Sequence, residues 1–414
     1  MLQPELVILI VFYFLAAISI WLGLLSLRSG MRFVRYLQRE LAQEPLEYTP
    51  FATVFVPCRG VDDGLKGNVL GLFAQDYPAF EIIFVSDSAD DPAFAVTAEA
   101  RQSFDQPTGP IIQTIVAGPA IDSGQKVHNL RVAVEAADAR SEVFVFTDSD
   151  ARPQEFWLRF LIAPLCDSGV GAATGYRWFV PLKRSFASHV QSVWNAAIAS
   201  ALGANTKKNF CWGGSTAIRR ETFKKLLISN RWRGTVSDDF TVTRVLHEAG
   251  LPIKFVPQCL TPSHHRISLR ELLEFTTRQL KITRVYALHL WKSVLIGSAI
   301  FSLTFFGGSA LVLARAVLGL SFETPLVLLL LIFAMGAVKS HLRLRAIAIV
   351  IADERMKSVS TTLAHVMLWP VASLLFLYNA LAAAVSRRIT WRGISYELKS
   401  PSETVILSRE SDKL

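Results

Sequence analysis

From Leu6 to Leu27 the chain runs apolar and uncharged, about the ~20 residues a helix needs to cross a ~30 Å hydrocarbon core. It is longer than the apolar stretch of a secretory signal and has no small-residue cleavage site after it. The run therefore reads as a retained anchor, residues 1–30. Arg28, Arg32, Arg35 and Arg39 follow it, and positive charge beyond a span marks the cytosolic side.

From about Tyr48 to Thr283 the pattern changes to short apolar strands, helical stretches and polar turns. A soluble domain over residues 48–265 is expected there. Residues 266–291 mix Leu269, Leu272, Leu273, Leu280 and Ile282 with Arg270, Arg278, Lys281 and Arg284. That mixture reads as an amphipathic helix lying on the membrane surface. Apolar runs return at Ser293–Leu318, Pro325–Val338 and Thr361–Val385, giving a membrane region over 292–386 and a tail over 387–414. Three crossings would put the tail outside, yet Arg387, Arg388 and Arg392 place it inside. One run is thus expected to be re-entrant or interfacial.

Composition supports the division. Apolar residues make up 51% of the 414, too many for a wholly soluble chain, and the 19% that are charged are too many for a wholly embedded one. The net charge of +9 collects beside apolar runs, which favours lipid surfaces over nucleic acid, and no nucleic-acid motif accompanies it. Cys58, Cys166, Cys211 and Cys259 lie far apart, with neither metal-ligand spacing nor a disulfide framework.

The chemistry is expected at strand ends. Ala52-Thr-Val-Phe-Val-Pro57 and Glu81-Ile-Ile-Phe-Val85 read as strands around a helical stretch from Leu65 to Gln75, a βαβ unit of a mostly parallel, Rossmann-like α/β sheet. Asp87 follows the second strand, where open α/β sheets bind nucleotides. A third strand, Val143-Phe-Val-Phe-Thr147, runs into Asp148-Ser149-Asp150. Carboxylates two residues apart there suit one Mg2+ or Mn2+ bridging a nucleotide diphosphate. Trp212-Gly213-Gly214 offers close backbone approach and an aromatic face for a sugar. Asp238 and Asp239 open a helix: the first suits capping, the second general-base work on a hydroxyl. His264 and His265 read as a solvated loop pair. Trp178, Trp194 and Trp232 read as core, a lipid tunnel being the alternative.

The order Asp87, Asp148-Ser-Asp150, Asp238-Asp239 and Arg278-Gln279-Leu-Lys281-Ile282 resembles the family 2 glycosyltransferases of GT-A fold. The nearest branch is that of the ceramide glucosyltransferases and their bacterial relatives, hopanoid-type enzymes included. Lys66-Gly-Asn68, Gln75-Asp-Tyr-Pro78, Ser86 to Pro92, Lys126-Val-His-Asn129-Leu130 and the tail from Ile389 to Leu398 carry that likeness. The resemblance implies an inverting, metal-dependent transfer of a sugar, glucose first, from a UDP-sugar to a hydroxyl of a membrane lipid, ceramide first. It implies that Asp87, Lys126, Asp148, Gly213, Gly214 and Asp238 bind the donor. Asp148 and Asp150 would hold the metal, Asp239 would be the base, and Trp212, Arg278, Gln279 and Lys281 would meet the acceptor or the diphosphate. The membrane would be a bacterial inner membrane, or that of the Golgi or endoplasmic reticulum, with the catalytic domain cytosolic. The family's last motif usually ends Arg-Trp, where this chain has Lys281-Ile282. Lys lacks the planar fork and Ile cannot stack on a sugar, so the departure bears on the acceptor rather than the reaction. Transfer of N-acetylhexosamine or another hexose to a hopanoid or glycerolipid is the closest rival. A processive polysaccharide synthase and a non-catalytic scaffold stand further off.

Overall fold

The computed structural model describes residues 4–44, 46–104, 109–182, 185–264, 266–351 and 353–409. Seven strands, β1 (Ala52–Pro57), β2 (Phe80–Ser86), β3 (Ile111–Val116), β4 (Val143–Phe146), β5 (Ala172–Phe179), β6 (Thr216–Arg219) and β7 (Ile253–Ser263), form one sheet in the order β3-β2-β1-β4-β6-β5-β7. The β3-β2-β1-β4 half is parallel, with Val54 opposite both Ile82 and Val145. β6 runs antiparallel to β4 and β5, while β5 and β7 are parallel.

Parallel neighbours require crossovers, and helices Leu65–Phe73, Pro92–Ser103 and Gln125–Glu135 supply them. The central strands are continuously apolar because both faces are covered. Val54, Ile82, Phe84 and Val145 pack beneath Leu72 and Phe73 on one face. Phe55, Ile83, Phe144 and Phe146 pack against Leu130, Phe223 and Trp232 on the other. The chain leaves β1 in one direction for β2 and β3, then returns to β4 on β1's far side. That reversal opens a crevice at the C-terminal strand ends.

Among the described residues, three helices are long and apolar enough to cross a membrane: Glu5–Leu41, Leu288–Val317 and Glu323–Val350. The first and third run side by side in the same direction. Phe12 clusters with Leu329 at one level, and Ser26 bonds Lys339 further along. Arg315, near the end of the second, pairs with Glu5 at the start of the first. The last apolar run is a bent pair, Val359–Met367 and Trp369–Val385, whose axes differ by 55°. Pro370 opens the second piece, where its missing N–H costs the helix nothing.

The stretch read as amphipathic becomes helix Leu269–Tyr286, started by a reciprocal Ser268/Glu271 cap. It packs on Trp369–Val385: Thr277 donates to Asn379 at 3.0 Å, and Arg284 reaches the carbonyl of Ala383. The tail holds an antiparallel sheet, β8 (Arg388–Trp391), β9 (Ile394–Ser400) and β10 (Glu403–Arg409). Arg392 and Gly393, both at positive φ, make its tight first turn. This small sheet docks on the larger domain. Tyr396 is buried, and its hydroxyl accepts from the backbone N of Gln125 at 3.2 Å. Gly234 lies so close beneath Ser402 that a Cβ would collide with its carbonyl.

Candidate active site

The crevice is built by clamps around the strand ends. Thr147 continues β4 by donating its N–H to Phe55 O at 3.1 Å, and its hydroxyl ties the strand end to Gly214 O, also at 3.1 Å. Asn68, from the crossover after β1, donates to Ser149 O at 3.1 Å. Gln75 bonds Gln154 O at 2.9 Å and Leu158 N at 3.0 Å. The motif residues Asn68 and Gln75 thus hold the Asp148–Asp150 loop in place.

Lys126, in the first turn of Gln125–Glu135, lies between two acidic segments. Its Nζ is 2.7 Å from Asp148 Oδ1 and 3.2 Å from Asp238 Oδ1. Gly213 closes this corner, where a Cβ would strike both the Asp238 carboxylate and Lys126. The glycine is therefore required by the protein's own packing. Gly214 is covered by Trp212, whose ring lies where its Cβ would be. Asp239 accepts from Phe240 N at 2.7 Å and from the Ser237 hydroxyl, with a long 3.5 Å contact from Gly213 N. The helix runs Asp238–Glu248 with Ser237 as its cap, so Asp238, which capping would have suited, faces the crevice instead.

Arg177 was missed in the sequence. It projects from β5, with Nη2 3.1 Å from Asp148 Oδ2 and 3.2 Å from Asp150 Oδ1. Trp212 stacks 4.9 Å from its guanidinium carbon. The signal was available: a lone arginine between Tyr176 and Trp178 in an apolar strand is out of place unless paired. Arg59, also missed, pairs with Asp87 and donates to the carbonyl of Arg392 at 2.9 Å. Arg392 in turn grips Asp62 at 2.7 and 2.6 Å. The Asp87 end of the crevice thus includes a residue from the first turn of the tail sheet.

Charge compensation sets the protonation states. Burial lowers the Lys126 pKa, but Asp148 and Asp238 raise it by more, leaving it above the usual lysine range. Burial raises Asp148, and Lys126 and Arg177 overcome this to hold it low. Asp238 goes the other way. Burial, then Asp239 and Asp148, outweigh the opposing Lys126 and push it up to about 6.

Asp148 and Asp150 suit a magnesium or manganese ion. A single positive atom, Arg177 Nη2, already meets one oxygen from each. Among the described residues no three His, Cys, Asp or Glu side chains form a complete cage. That matches ions held by one or two carboxylates with substrate phosphates supplying the rest.

Of the expected acceptor residues, Trp212 lies within this cluster, over Arg177, and the other three are on the helix Leu269–Tyr286. Arg278 lies 5.5 Å from the Trp391 ring, and burial, then Arg392 and Arg177, lower its pKa to about 10. Lys281 donates to Arg388 O at 2.7 Å, Gln279 is half-buried on the same helix, and Ile282 joins the core of the tail sheet with Val236 and Tyr396. His264 bonds Asp353 at 2.7 Å, while His265 lies outside the described residues. Trp178, Trp194 and Trp232 are buried.

A mostly parallel sheet with an Asp-x-Asp after β4 and acidic residues opening a helix across the crevice defines a GT-A glycosyltransferase. The chain belongs to glycosyl transferase family 21, whose model matches residues 11–404. Among solved structures it is similar to a mannosyltransferase from Pyrobaculum calidifontis in complex with GDP-Man and Mn2+. The two are 18% identical, covering 90% of this chain and 98% of that one, with a TM-score of 0.44. It is also similar to glucosyl-3-phosphoglycerate synthase from Mycobacterium tuberculosis in complex with Mn2+ and UDP-glucose, at 15% identity over 61% of this chain and 82% of that one, with a TM-score of 0.38.

Proposed function

We propose that this glycosyltransferase moves a sugar, glucose first, from a UDP-sugar to a hydroxyl of a membrane lipid, ceramide first, with inversion at the anomeric carbon. The observation that carries this reading is Lys126, whose Nζ meets Asp148 at 2.7 Å and Asp238 at 3.2 Å and so joins the helix start that carries Asp239 to the Asp-x-Asp corner, on a domain joined directly to apolar helices. Asp87 and Arg59 meet the nucleoside. Asp148 and Asp150 would hold a divalent ion, which when bound would supply positive charge to the leaving diphosphate. Lys126 and Arg177 add fixed positive charge beside it. Asp239, oriented by Ser237 and Phe240 N, takes the proton from the lipid hydroxyl as it attacks. The lipid approaches along Leu269–Tyr286, which lies on the membrane surface.

The domain arrangement follows the same reading: an anchor, a cytosolic catalytic domain, a surface helix and a membrane region. The tail sheet docks on the catalytic domain, so both lie on one side of the bilayer. The chain between them crosses an even number of times. Leu288–Val317 and Glu323–Val350 are the two crossings, and the bent pair turns back. The parallel packing of Glu5–Leu41 with Glu323–Val350 supports this.

A second reading, N-acetylhexosamine or other hexose transfer to a hopanoid or glycerolipid, is favoured by Ile282. It packs into the tail sheet where the family places an acceptor-facing Trp. One assay separates the two: UDP release from detergent-purified protein with a panel of UDP-sugars against ceramide, diacylglycerol and hopanoid, with and without EDTA. Release that needs ceramide and UDP-glucose, and that EDTA stops, supports the first reading. Release with no lipid acceptor of the panel sinks both.

A further inference from the structure

Away from the crevice, a cavity of about 280 Å³ lies inside the helical region, between the N-terminal helix, Phe186–Ala199, Glu323–Val350 and the bent pair. Its walls are largely apolar, Phe301, Met335 and Phe376 among them, and it includes two cations, Lys339 and Arg343, but no acidic residue. The two are one helical turn apart, on the same face. Among the described residues, Lys339 reaches only the hydroxyl of Ser26. Arg343 Nε, His365 Nδ1 and Trp369 Nε1 are buried nitrogens without a hydrogen-bond partner among the described residues, and all three residues line this cavity. His365 Nε2 lies 3.1 Å from the Ser192 hydroxyl, which leaves Nδ1 available as a donor.

A buried donor without a partner costs on the order of 1–3 kcal/mol, and more when charged. Several such nitrogens around one cavity, with apolar walls on the remaining sides, match a ligand with an anionic head and an apolar body. The level is right for a lipid. A Cβ on Gly30 would lie 3.3 Å from Lys339 Cγ, so the cations stand beside the stretch where the N-terminal helix passes from apolar residues to Arg28 and Arg32. At this size, near the lower end of ligand pockets, the cavity takes a headgroup and part of one chain.

We propose that Lys339, Arg343, His365 and Trp369 form a binding site for an anionic membrane phospholipid, separate from the site of the acceptor. The lipid's phosphate sits against the two cations, and one acyl chain lies along Phe301 and Phe376. Bound only by the folded bundle, the lipid stabilises it by mass action.

The test is thermal unfolding of the full chain in nanodiscs of phosphatidylcholine, with and without phosphatidylglycerol. Wild type should gain several degrees from the anionic lipid and none from inorganic phosphate at equal concentration. The double variant Lys339→Gln, Arg343→Gln should lose the gain, while Arg345→Gln, exposed on the same helix, should keep it. An equal gain in the double variant, or the full gain from phosphate alone, overturns the proposal. If the double variant does not fold, native mass spectrometry of wild type decides: phosphatidylglycerol retained over phosphatidylcholine supports the site, and no preference refutes it.

Discussion

Arg177 holds Asp150 at two points, with Nη1 and Nη2 each 3.2 Å from a different carboxylate oxygen. Nη2 also reaches Asp148, so one guanidinium occupies the space between the two carboxylates that suit a divalent ion. On the proposed reading, a divalent ion held by these carboxylates would compete with Arg177 for the same oxygens.

Removing that competitor should be visible before any chemistry. Arg177→Gln is expected to bind Mn2+ about 10-fold more tightly without nucleotide, roughly the effect of losing one nearby charge. Turnover should fall by about 10²-fold, because charge on the leaving diphosphate loses a partner. Manganese titration by electron paramagnetic resonance checks the first part. Weaker Mn2+ binding in the variant would show that Arg177 organises the carboxylates rather than blocking them.

The base assignment separates binding from catalysis. Asp239→Asn keeps the acceptor oxygen for Phe240 N and stays isosteric, so UDP-sugar affinity should change by less than about 3-fold, while transfer falls by about 10²–10⁴. Calorimetry and UDP release on the same preparation measure both. Near wild-type turnover would remove Asp239 from the role.

Asp238 predicts a pH signature. Its carboxyl ionises near its ordinary 3.8 in the unfolded chain and near 6 in the folded one. The folded chain thus holds the extra proton in between. The stability this contributes is present below about 3.8 and lost as pH rises through about 6. Asp238→Asn stays neutral throughout. In metal-free buffer its stability relative to wild type should climb from pH 4 to about 6 and then level off. A difference that stays flat across that window would contradict the assignment.

Arg392 tests the tail's part in the proposed donor site. Arg392→Ala breaks a two-point pair with Asp62 at 2.7 and 2.6 Å and loosens the turn whose carbonyl holds Arg59. The donor KM should rise about 5- to 10-fold with a smaller change in kcat, since the ion pair is half-exposed and worth about 1 kcal/mol. Initial rates against UDP-sugar concentration give the answer. An unchanged KM would make the tail sheet structural only.

What the sequence made legible follows from where its signals were local. Continuous apolar strands marked β1, β2 and β4, the last two ending in acids, because a strand buried on both faces leaves no polar alternation to confuse. Asp148 and Asp150 announced themselves by standing directly after such a strand. Arg177 and Arg59 did not, since their partners lie 27 to 29 residues away and only the sheet's order brings them together. The tail read as basic and cytosolic, but its three short strands need a surface to pair over. Val236 and Ile282, which provide it, lie more than 100 residues earlier. The run Pro325–Val338 read as short for a span, ended by Lys339, His341, Arg343 and Arg345, yet its helix continues through them to Val350, and the bend near Trp369 needed the partners of both pieces to interpret.

The tail sheet follows every apolar helix in the chain, yet it completes a crevice built on β1 and β2. Under the proposed topology, its docking would act as a check on membrane insertion. A chain threaded with one crossing too many or too few leaves β8, β9 and β10 across the bilayer from Gln125 and Asp62. In such a chain Arg59 would have no carbonyl of Arg392 to hold, and the crevice would stay open on one side. On the proposed reading, orientation and activity would then depend on the same few hydrogen bonds.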